Sequence, residues 1–549
     1  MNGEKSPAAN SGTLFLKEGK KEIMDRIAFG TGGMRGIMGE GDGCINRHVI
    51  QHVTHGLAKS ILSSDAPKSA GVAYDTRFNS EEFVQIVCEV LSAFDIEVYF
   101  FDKPMPTPVL SHAIRIMNLG WGVCITASHN PQEYNGYKVY DRHGVQVTDR
   151  LAAEITESIS SVGAGESVPS VRKELIKSFG PEVVDEYLEQ IVSYIQTEEQ
   201  SISVRAGARP LRPNPYPLVY SALYGAGTNA VPTVLERLGF NPVCVQQNPD
   251  GAFGGLKTPN PEEPIVYEEA ISKAKETGAK LILATDPDCD RVGVMVKTEA
   301  GFELLNGNQI GALLIDYLAQ TRGVSKGDTV ISTIVSGSLG EFVAKENGLD
   351  FVRLLTGFKY IGEYIVNLPY GKKFFFGYEE SYGFLAGDGA RDKDAVIASA
   401  LIVKMADYYD QKGMTLADRL VELSEIHGYC MESLYSLNIP QNKQIEVMSR
   451  LRNGASIHGV TRLEDYMLGV DGLPKADVIK LYFTDNNDSP DTEAWAAIRP
   501  SGTEPKLKLY VGVRAGTCRT AKDALRVLVK RVLANIELWI ATSFAVDSQ

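Results

Sequence analysis

One unit recurs along this chain and constrains its fold more than any other feature: an amphipathic helix, a glycine, and a short apolar strand that ends in a polar loop. In the first instance Thr107 reads as an N-cap and Pro108 as the first helical residue, with Leu110, Ala113, Ile114 and Met117 at helical spacing. Gly120 is the expected stop, and WGVCI (Trp121 to Ile125) follows as a strand. The second instance has Tyr267, Ala270, Ile271 and Ala274 on one face, Gly278 as the stop, and KLILA (Lys280 to Ala284) as the strand. A third pairs a strand over Asp328 to Val335 with a helix beginning near Ser338. Such alternation requires parallel sheets with right-handed crossovers, whose ligands gather at the carboxyl ends of the strands.

The C-terminal part differs. SLYSLNI, DVIKLYFTD and KLKLYVGV read as antiparallel strands, and a helical run extends from Thr520 to Ile540. Composition shifts near Arg205 to Pro217, Arg322 to Lys326 and Glu432 to Gln441 divide the 549 residues into four expected domains. These are α/β domains over 1–205, 206–322 and 323–434, and an α+β domain over 435–549. The most apolar window, AVIASALIV (Ala395 to Val403), is nine residues bounded by Asp394 and Lys404. A membrane span needs about 20, so this window reads as a buried core helix and no membrane association is expected. The N-terminal residues hold no apolar stretch of signal-peptide length. Seven scattered cysteines, with no C-x-x-C pair, signal neither a disulfide framework nor a zinc knuckle, so a reducing, cytoplasmic setting is expected. A net charge of -14 argues against a nucleic-acid partner. An anionic substrate must therefore find a locally positive pocket, with the acidity lying mainly outside it.

The loops after the strands carry the chemistry. Asp286, Asp288 and Asp290 form D-x-D-x-D within one turn, where three carboxylates converge on a hard cation. Without one they repel. An EF-hand is excluded because its sixth and twelfth positions are Arg291 and Lys297. An aspartyl-phosphate phosphatase also places D-x-D after a strand, but its Gly-Thr is replaced here by Cys289 and Asp290. Thr126-Ala-Ser-His-Asn-Pro131 offers the Ser128 hydroxyl beside the His129 imidazole; it is either catalytic or a turn whose side chains satisfy backbone groups. It is not a nucleophile elbow, since G-x-S-x-G is absent. Lys138 in NGYK lies close enough in sequence to return to that loop.

Two further loops suit phosphate. Gly30 to Gly36 (GTGGMRG) supplies flexible amides and the Arg35 guanidinium, although it is neither a dinucleotide fingerprint nor a P-loop. Arg499-Pro-Ser-Gly-Thr-Glu-Pro505 is a second cradle, with Arg499, Ser501, Gly502 and Thr503, and with Lys506 just behind; the alternative is a polar turn before the next strand. In GYEESYG, Glu379 and Ser381 alternate along a segment read as extended, so both face one way, which suits sugar hydroxyls or a satisfied buried pair.

Five such loops in this order, over nearly the whole chain, closely resemble the α-D-phosphohexomutase family, which includes phosphoglucomutases and phosphomannomutases. GTGGMRG, TGFK (Thr356 to Lys359) and GYEESYG look most like its phosphoglucomutase and phosphopentomutase branch. The resemblance implies that Ser128 is the phosphorylated serine and that its phosphate, Asp286, Asp288 and Asp290 coordinate Mg2+. It implies that Arg291 contacts the phosphoserine region and that Glu379 and Ser381 hold sugar hydroxyls. Thr356, Gly357 and Lys359 would orient the ring, and Arg499, Ser501, Gly502, Thr503 and Lys506 would bind the non-transferring phosphate.

The implied activity is a phosphosugar mutase that interconverts glucose 1-phosphate and glucose 6-phosphate through glucose 1,6-bisphosphate, which also serves as activator. Arg35, Lys138, Arg291, Lys359, Arg499 and the metal would offset the repulsion of two phosphates. General acid/base duty falls to His129 or Lys138, and the sequence leaves both open. Shielding the intermediate from water implies closure of the fourth domain, with Gly383 and Gly502 as yielding points. Phosphopentomutase, phosphomannomutase and glucose 1,6-bisphosphate synthase activities are alternatives on the same fold. A metal-dependent sugar phosphatase and a catalytically silent sugar-phosphate binder are more remote.

Overall fold

The computed structural model describes residues 29, 33–163, 165–206, 216–455, 457–484, 492–500 and 506–542. Four sheets follow one another along the chain. The first has the order β1-β5-β4-β2-β3-β6 and contains β1 (Gly33–Ile37), β2 (Ser69–Tyr74), β3 (Glu97–Phe100), β4 (Trp121–Ile125), β5 (Tyr134–Asp141) and β6 (Ile176–Ser178). Its β2, β3, β4 and β6 run parallel, while β5 joins β4 and β1 antiparallel. The second has the order β11-β10-β9-β7-β8, from β7 (Leu218–Ser221), β8 (Val243–Val245), β9 (Leu281–Thr285), β10 (Val292–Thr298) and β11 (Gly301–Leu305). Here β7, β8 and β9 are parallel and β10 and β11 form an antiparallel hairpin. In the third, β12 (Asp328–Thr333) lies parallel between β13 (Asp350–Leu354) and β14 (Lys373–Tyr378), and β15 (Phe384–Leu385) pairs antiparallel with β14. Every residue of β2, β4, β7 and β9 is buried, which explains their unbroken apolar runs: helices cover both faces of a largely parallel sheet.

The fourth sheet is wholly antiparallel, in the order β16-β20-β19-β18-β17, with β16 (Tyr429–Asn438), β17 (Val460–Asp465), β18 (Ile479–Phe483), β19 (Glu493–Pro500) and β20 (Lys506–Ala515). The helix Cys518–Thr542 packs on one face of it. The chain thus forms three mixed α/β units and a C-terminal α+β unit. One buried cluster runs through the first three, from Leu110 and Ile114 through Leu281 and Leu283 to Phe376, and includes the helix Ala395–Asp410. That helix is the apolar window read as core, capped by the Asp394 carboxylate on the amides of Val396 and Ile397. The fourth unit has a separate core. It meets the third through a smaller cluster of Ile334, Val335 and Leu355 against Tyr466, Val478, Trp495, Ala497 and Tyr510.

Several local expectations are corrected. Thr107 does not cap its helix: Pro106 holds that position, and the Thr107 hydroxyl turns 3.3 Å toward Asp288 of the second unit. The helix stops at Ile116, before Gly120, and Asn118 takes the left-handed conformation (φ 52°). Gly278 does end its helix left-handed, and Ser338 does precede the helix Leu339–Glu346. Glu379 to Ser381 form a turn between β14 and β15, closed by the left-handed Tyr382 (φ 66°), because the two strands pair directly. At Gly383 a Cβ would lie 2.3 Å from the Lys393 side chain, so glycine there permits close packing. Residues 33–36 of the first glycine loop belong to a strand paired with β5, and 30–32 lie outside the described residues.

Candidate active site

The parallel strands end together, so their loops converge. Ser128 follows β4 and has a left-handed backbone (φ 52°), unusual for a residue with a side chain. Its hydroxyl donates to Asp286 Oδ2 at 2.7 Å and lies 3.2 Å from His129 Nδ1. Asp286, Asp288 and Asp290 follow β9, are fully buried, and present oxygen atoms within 4.8 Å of one another. Lys138 on β5 reaches across from the first unit, 2.7 Å from Asp288 Oδ2 and 3.0 Å from Asp290 Oδ2. Lys393 arrives from the third unit, 3.3 Å from Asp290 Oδ2. Asp288 Oδ1 and Asp290 Oδ1 are buried with no hydrogen-bond partner among the described residues. Orphaned carboxylate oxygens beside a third carboxylate and a hydroxyl are the donor set of a hard cation.

The electrostatics agree. Burial, then the charges of Asp288 and Asp290, push Asp286 well above the ordinary carboxylate range. Asp290 is buried too, but Lys138, Lys393 and Arg291 hold it below that range. Burial would lower Lys138, yet Asp288, Asp290 and Asp392 keep it well above the usual lysine value. Burial, Arg291 and Arg35 hold His129 well below the usual imidazole value, so it is neutral. Of the two groups between which the sequence does not choose, His129 sits where the charged form is disfavoured and Lys138 where it is favoured.

A cleft of about 620 Å³ opens above these loops and is lined from all four units. Arg35, Arg291, Lys393, Arg499, Lys506 and Lys508 outnumber the carboxylates of Glu262, Glu263, Glu379 and Glu380 among its described lining residues. The chain's acidity therefore lies mainly elsewhere. Arg35 donates to Asn130 Oδ1 at 3.1 Å, and Arg291 is paired with Glu262 at 2.9 Å. Glu379 accepts the Gly357 amide at 2.8 Å; burial and the neighbouring Glu380 push it up to about 7. Ser381, Gly357 and Thr356 line the same wall, and the Thr356 hydroxyl is buried with no partner among the described residues. Lys359 is not among the lining residues; it pairs with Asp149 at 2.7 Å. Ser501, Gly502 and Thr503 lie outside the described residues.

Several contributors escape the motif reading. Lys508 is the direct cross-strand partner of Arg499 and sits two residues from Lys506, so strand alternation puts all three cations on one face. Like charges directly opposite destabilise a sheet unless an anion joins them. Burial, Arg499 and Arg291 lower the Lys508 pKa. Asp75 and Arg77, after β2, are fully buried behind the Ser128 loop. The rule that polar residues at a strand's carboxyl end carry chemistry applies to both. Glu262 and Lys393 sit in loops with no such marker.

Comparison with known proteins gives a consistent result. Residues 26–165, 185–301 and 306–425 match the phosphoglucomutase/phosphomannomutase alpha/beta/alpha domains I, II and III. The chain is 36% identical over 526 residues to a phosphoglucomutase of Staphylococcus epidermidis, covering 90% of this chain and 92% of that protein. Among solved structures, a phosphoglucomutase/phosphomannomutase family protein of Burkholderia thailandensis superposes with a TM-score of 0.70 at 18% identity, covering 94% of this chain and 98% of that one. The open form of parafusin, a Paramecium phosphoglucomutase, gives 0.68 at 17% identity, covering 93% and 95%.

Proposed function

The chain belongs to the phosphoglucomutase/phosphomannomutase family, and from that premise we propose that it interconverts glucose 1-phosphate and glucose 6-phosphate with Ser128 as the phosphoryl carrier. The observation that carries this reading is the Ser128 hydroxyl, held in a left-handed turn 2.7 Å from a cluster of three buried carboxylates, below a cleft whose far wall is cationic.

Asp286, Asp288, Asp290 and an oxygen of phosphorylated Ser128 would hold Mg2+, which when bound neutralises charge on the transferring oxygens. The chain's own residues do the rest by positioning and electrostatics. Arg499, Lys506 and Lys508 grip the phosphate already on the sugar. Glu379, with Ser381, accepts or donates to ring hydroxyls and so presents the free hydroxyl to Ser128. The sugar oxygen bonds to phosphorus as the Ser128 Oγ–P bond breaks, and the hydroxyl proton passes by way of His129, whose Nδ1 lies 3.2 Å from Oγ, to the leaving Oγ, which becomes the serine hydroxyl. Lys138, Lys393 and Arg291 balance the charge around the reacting end. The resulting bisphosphate reorients, so that its other phosphate faces Ser128. Oγ then bonds to that phosphorus as the sugar O–P bond breaks, and the Ser128 hydroxyl proton passes by way of His129 to the sugar oxygen.

The test is a panel of glucose, mannose, N-acetylglucosamine and ribose 1-phosphates, with Mg2+ and catalytic glucose 1,6-bisphosphate, on wild type and Ser128→Ala. Glucose 1-phosphate is expected to turn over fastest, and Ser128→Ala to lose mutase activity. Wild-type turnover by Ser128→Ala would refute the carrier. Release of inorganic phosphate with no need for the bisphosphate would indicate a phosphatase instead.

A further inference from the structure

Behind the Ser128 loop lies a hydrogen-bond relay of Asp75, Thr126 and Arg77, none of them among the residues that line the cleft. β2 and β4 are neighbouring parallel strands, with Tyr74 in register with Ile125, so the residues just beyond each, Asp75 and Thr126, emerge side by side. The Thr126 hydroxyl donates to Asp75 Oδ2 at 2.6 Å and accepts the backbone N–H of Ser128 at 2.8 Å. Asp75 Oδ2 also accepts Arg77 Nε at 3.1 Å. The rest of the Arg77 guanidinium is spent on the same loop. Its Nη2 donates to the carbonyls of Ser128 and Asn130, and its Nη1 to those of Pro131 and Tyr134. All five N–H groups are thereby used, one on Asp75 and four on the Ser128 to Tyr134 segment, and the side chains of Asp75 and Arg77 are fully buried. The guanidinium lies 4.9 Å from the centroid of the Phe253 ring, itself fully buried and contributed by the second unit.

Both backbone ends of Ser128, its N–H through Thr126 and its C=O through Arg77, are thus tied to a single buried carboxylate. A side-chain-bearing residue adopts a left-handed backbone only where its surroundings over-determine it, and here they do. We propose that Asp75, Thr126 and Arg77 are positioning residues that keep Ser128 Oγ aimed at the acidic cluster whether or not it carries a phosphoryl group. This rests on Ser128 being the phosphoryl carrier. The demand for it is specific to a mutase: between the two transfers the phosphate is on the sugar, and the bare serine must hold its place to attack again. An error of about 1 Å in such a nucleophile costs roughly 100-fold in rate.

Thr126→Val and Thr126→Ser separate this role from packing, since the first keeps the shape and loses the hydroxyl, and the second does the reverse. With glucose 1-phosphate, Thr126→Val is expected to lower kcat by about 10- to 100-fold with KM within about twofold, while Thr126→Ser keeps at least about half of wild-type kcat. Phosphoserine occupancy, read by intact mass after turnover stops, is expected to fall in Thr126→Val and to be retained in Thr126→Ser. If Thr126→Val does not fold, Asp75→Asn is measured in the same way. Equal kcat in the Val and Ser variants, with Ser128→Ala inactive, overturns the relay alone. An active Ser128→Ala overturns the carrier and the relay with it.

Discussion

The first three units and the fourth face each other across one cleft but are built differently. The first three share a continuous buried core, and their reactive loops are cross-tied between units. Thr107 and Lys138 of the first meet Asp288 of the second, and Lys393 of the third meets Asp290. The fourth unit has its own core, touches the third through a small cluster, and presents Arg499 and Lys508 opposite one another on two strands of a single sheet. The contrast separates two tasks. A reacting end must be held to a fraction of an ångström, whereas in the proposed cycle a grip on the distant phosphate releases and re-forms each time the bisphosphate reverses. Units fused through a common core suit the first task, and a unit hung on a small seam suits the second.

The largest effect should come from the fused side. Asp288→Asn removes one of the proposed cation ligands and one partner of Lys138 while keeping the shape, and several kcal/mol of charge stabilisation corresponds to a loss of at least about 1000-fold in kcat. A coupled assay across a Mg2+ titration measures this, and no Mg2+ concentration is expected to restore the rate. An effect on KM alone would break the distinction between the two sides. On the hanging side, Lys508→Met removes a cation from the distal grip. Loss of one charged hydrogen bond, about 1.5–3 kcal/mol, should raise KM about 10- to 100-fold with a smaller change in kcat. A fall in kcat to match that of Asp288→Asn would show that the fourth unit also holds the reacting end.

The two sides were also unequally legible in the sequence. The parallel units announce themselves because helix and strand periods alternate and polar loops interrupt apolar strands, which brings Ser128, the three aspartates and Glu379 forward as candidates. What the pattern cannot carry is contact between distant segments. Nothing local in Asp75-Thr-Arg77 shows that it ends beside Thr126; strand order decides that. Thr107 looked like a helix cap because its immediate neighbours allow it, and it was claimed instead by a carboxylate 181 residues away in the chain. In the fourth unit, polar residues blur the alternation of β17 (VTRLED), while the short apolar run of β19 (Ala494 to Ile498) has no period that separates strand from helix. Lys508 was missed for a related reason: its place in the grip follows from register with Arg499.

The seam between the third and fourth units gives the smallest expected effect on turnover and the sharpest test of how the fourth unit is seated. Lys480 on β18 is buried there, donates to the Ile334 carbonyl of the third unit at 2.6 Å, and lies 4.6 Å from the centroid of the Trp495 ring. Burial, and then the nearby Arg353, lower its pKa to about 7; Glu464 and Glu341 oppose the shift and Arg462 adds to it. In the unfolded chain the ordinary lysine value of 10.5 applies, so from about pH 7 to 10.5 the unfolded state binds the extra proton and stability rises with pH. Below pH 7 both states are charged, and the penalty of burying the ammonium is present in full. At about 1.4 kcal/mol per pH unit, this group alone should add roughly 2 kcal/mol between pH 7 and 9. Lys480→Met should lose that increment, seen as a smaller gain in Tm over the same interval. Its absolute stability is a separate matter, because methionine leaves the Ile334 carbonyl without its donor. An unchanged gain in Tm would show that Lys480 is not the group whose proton is linked to seating the fourth unit.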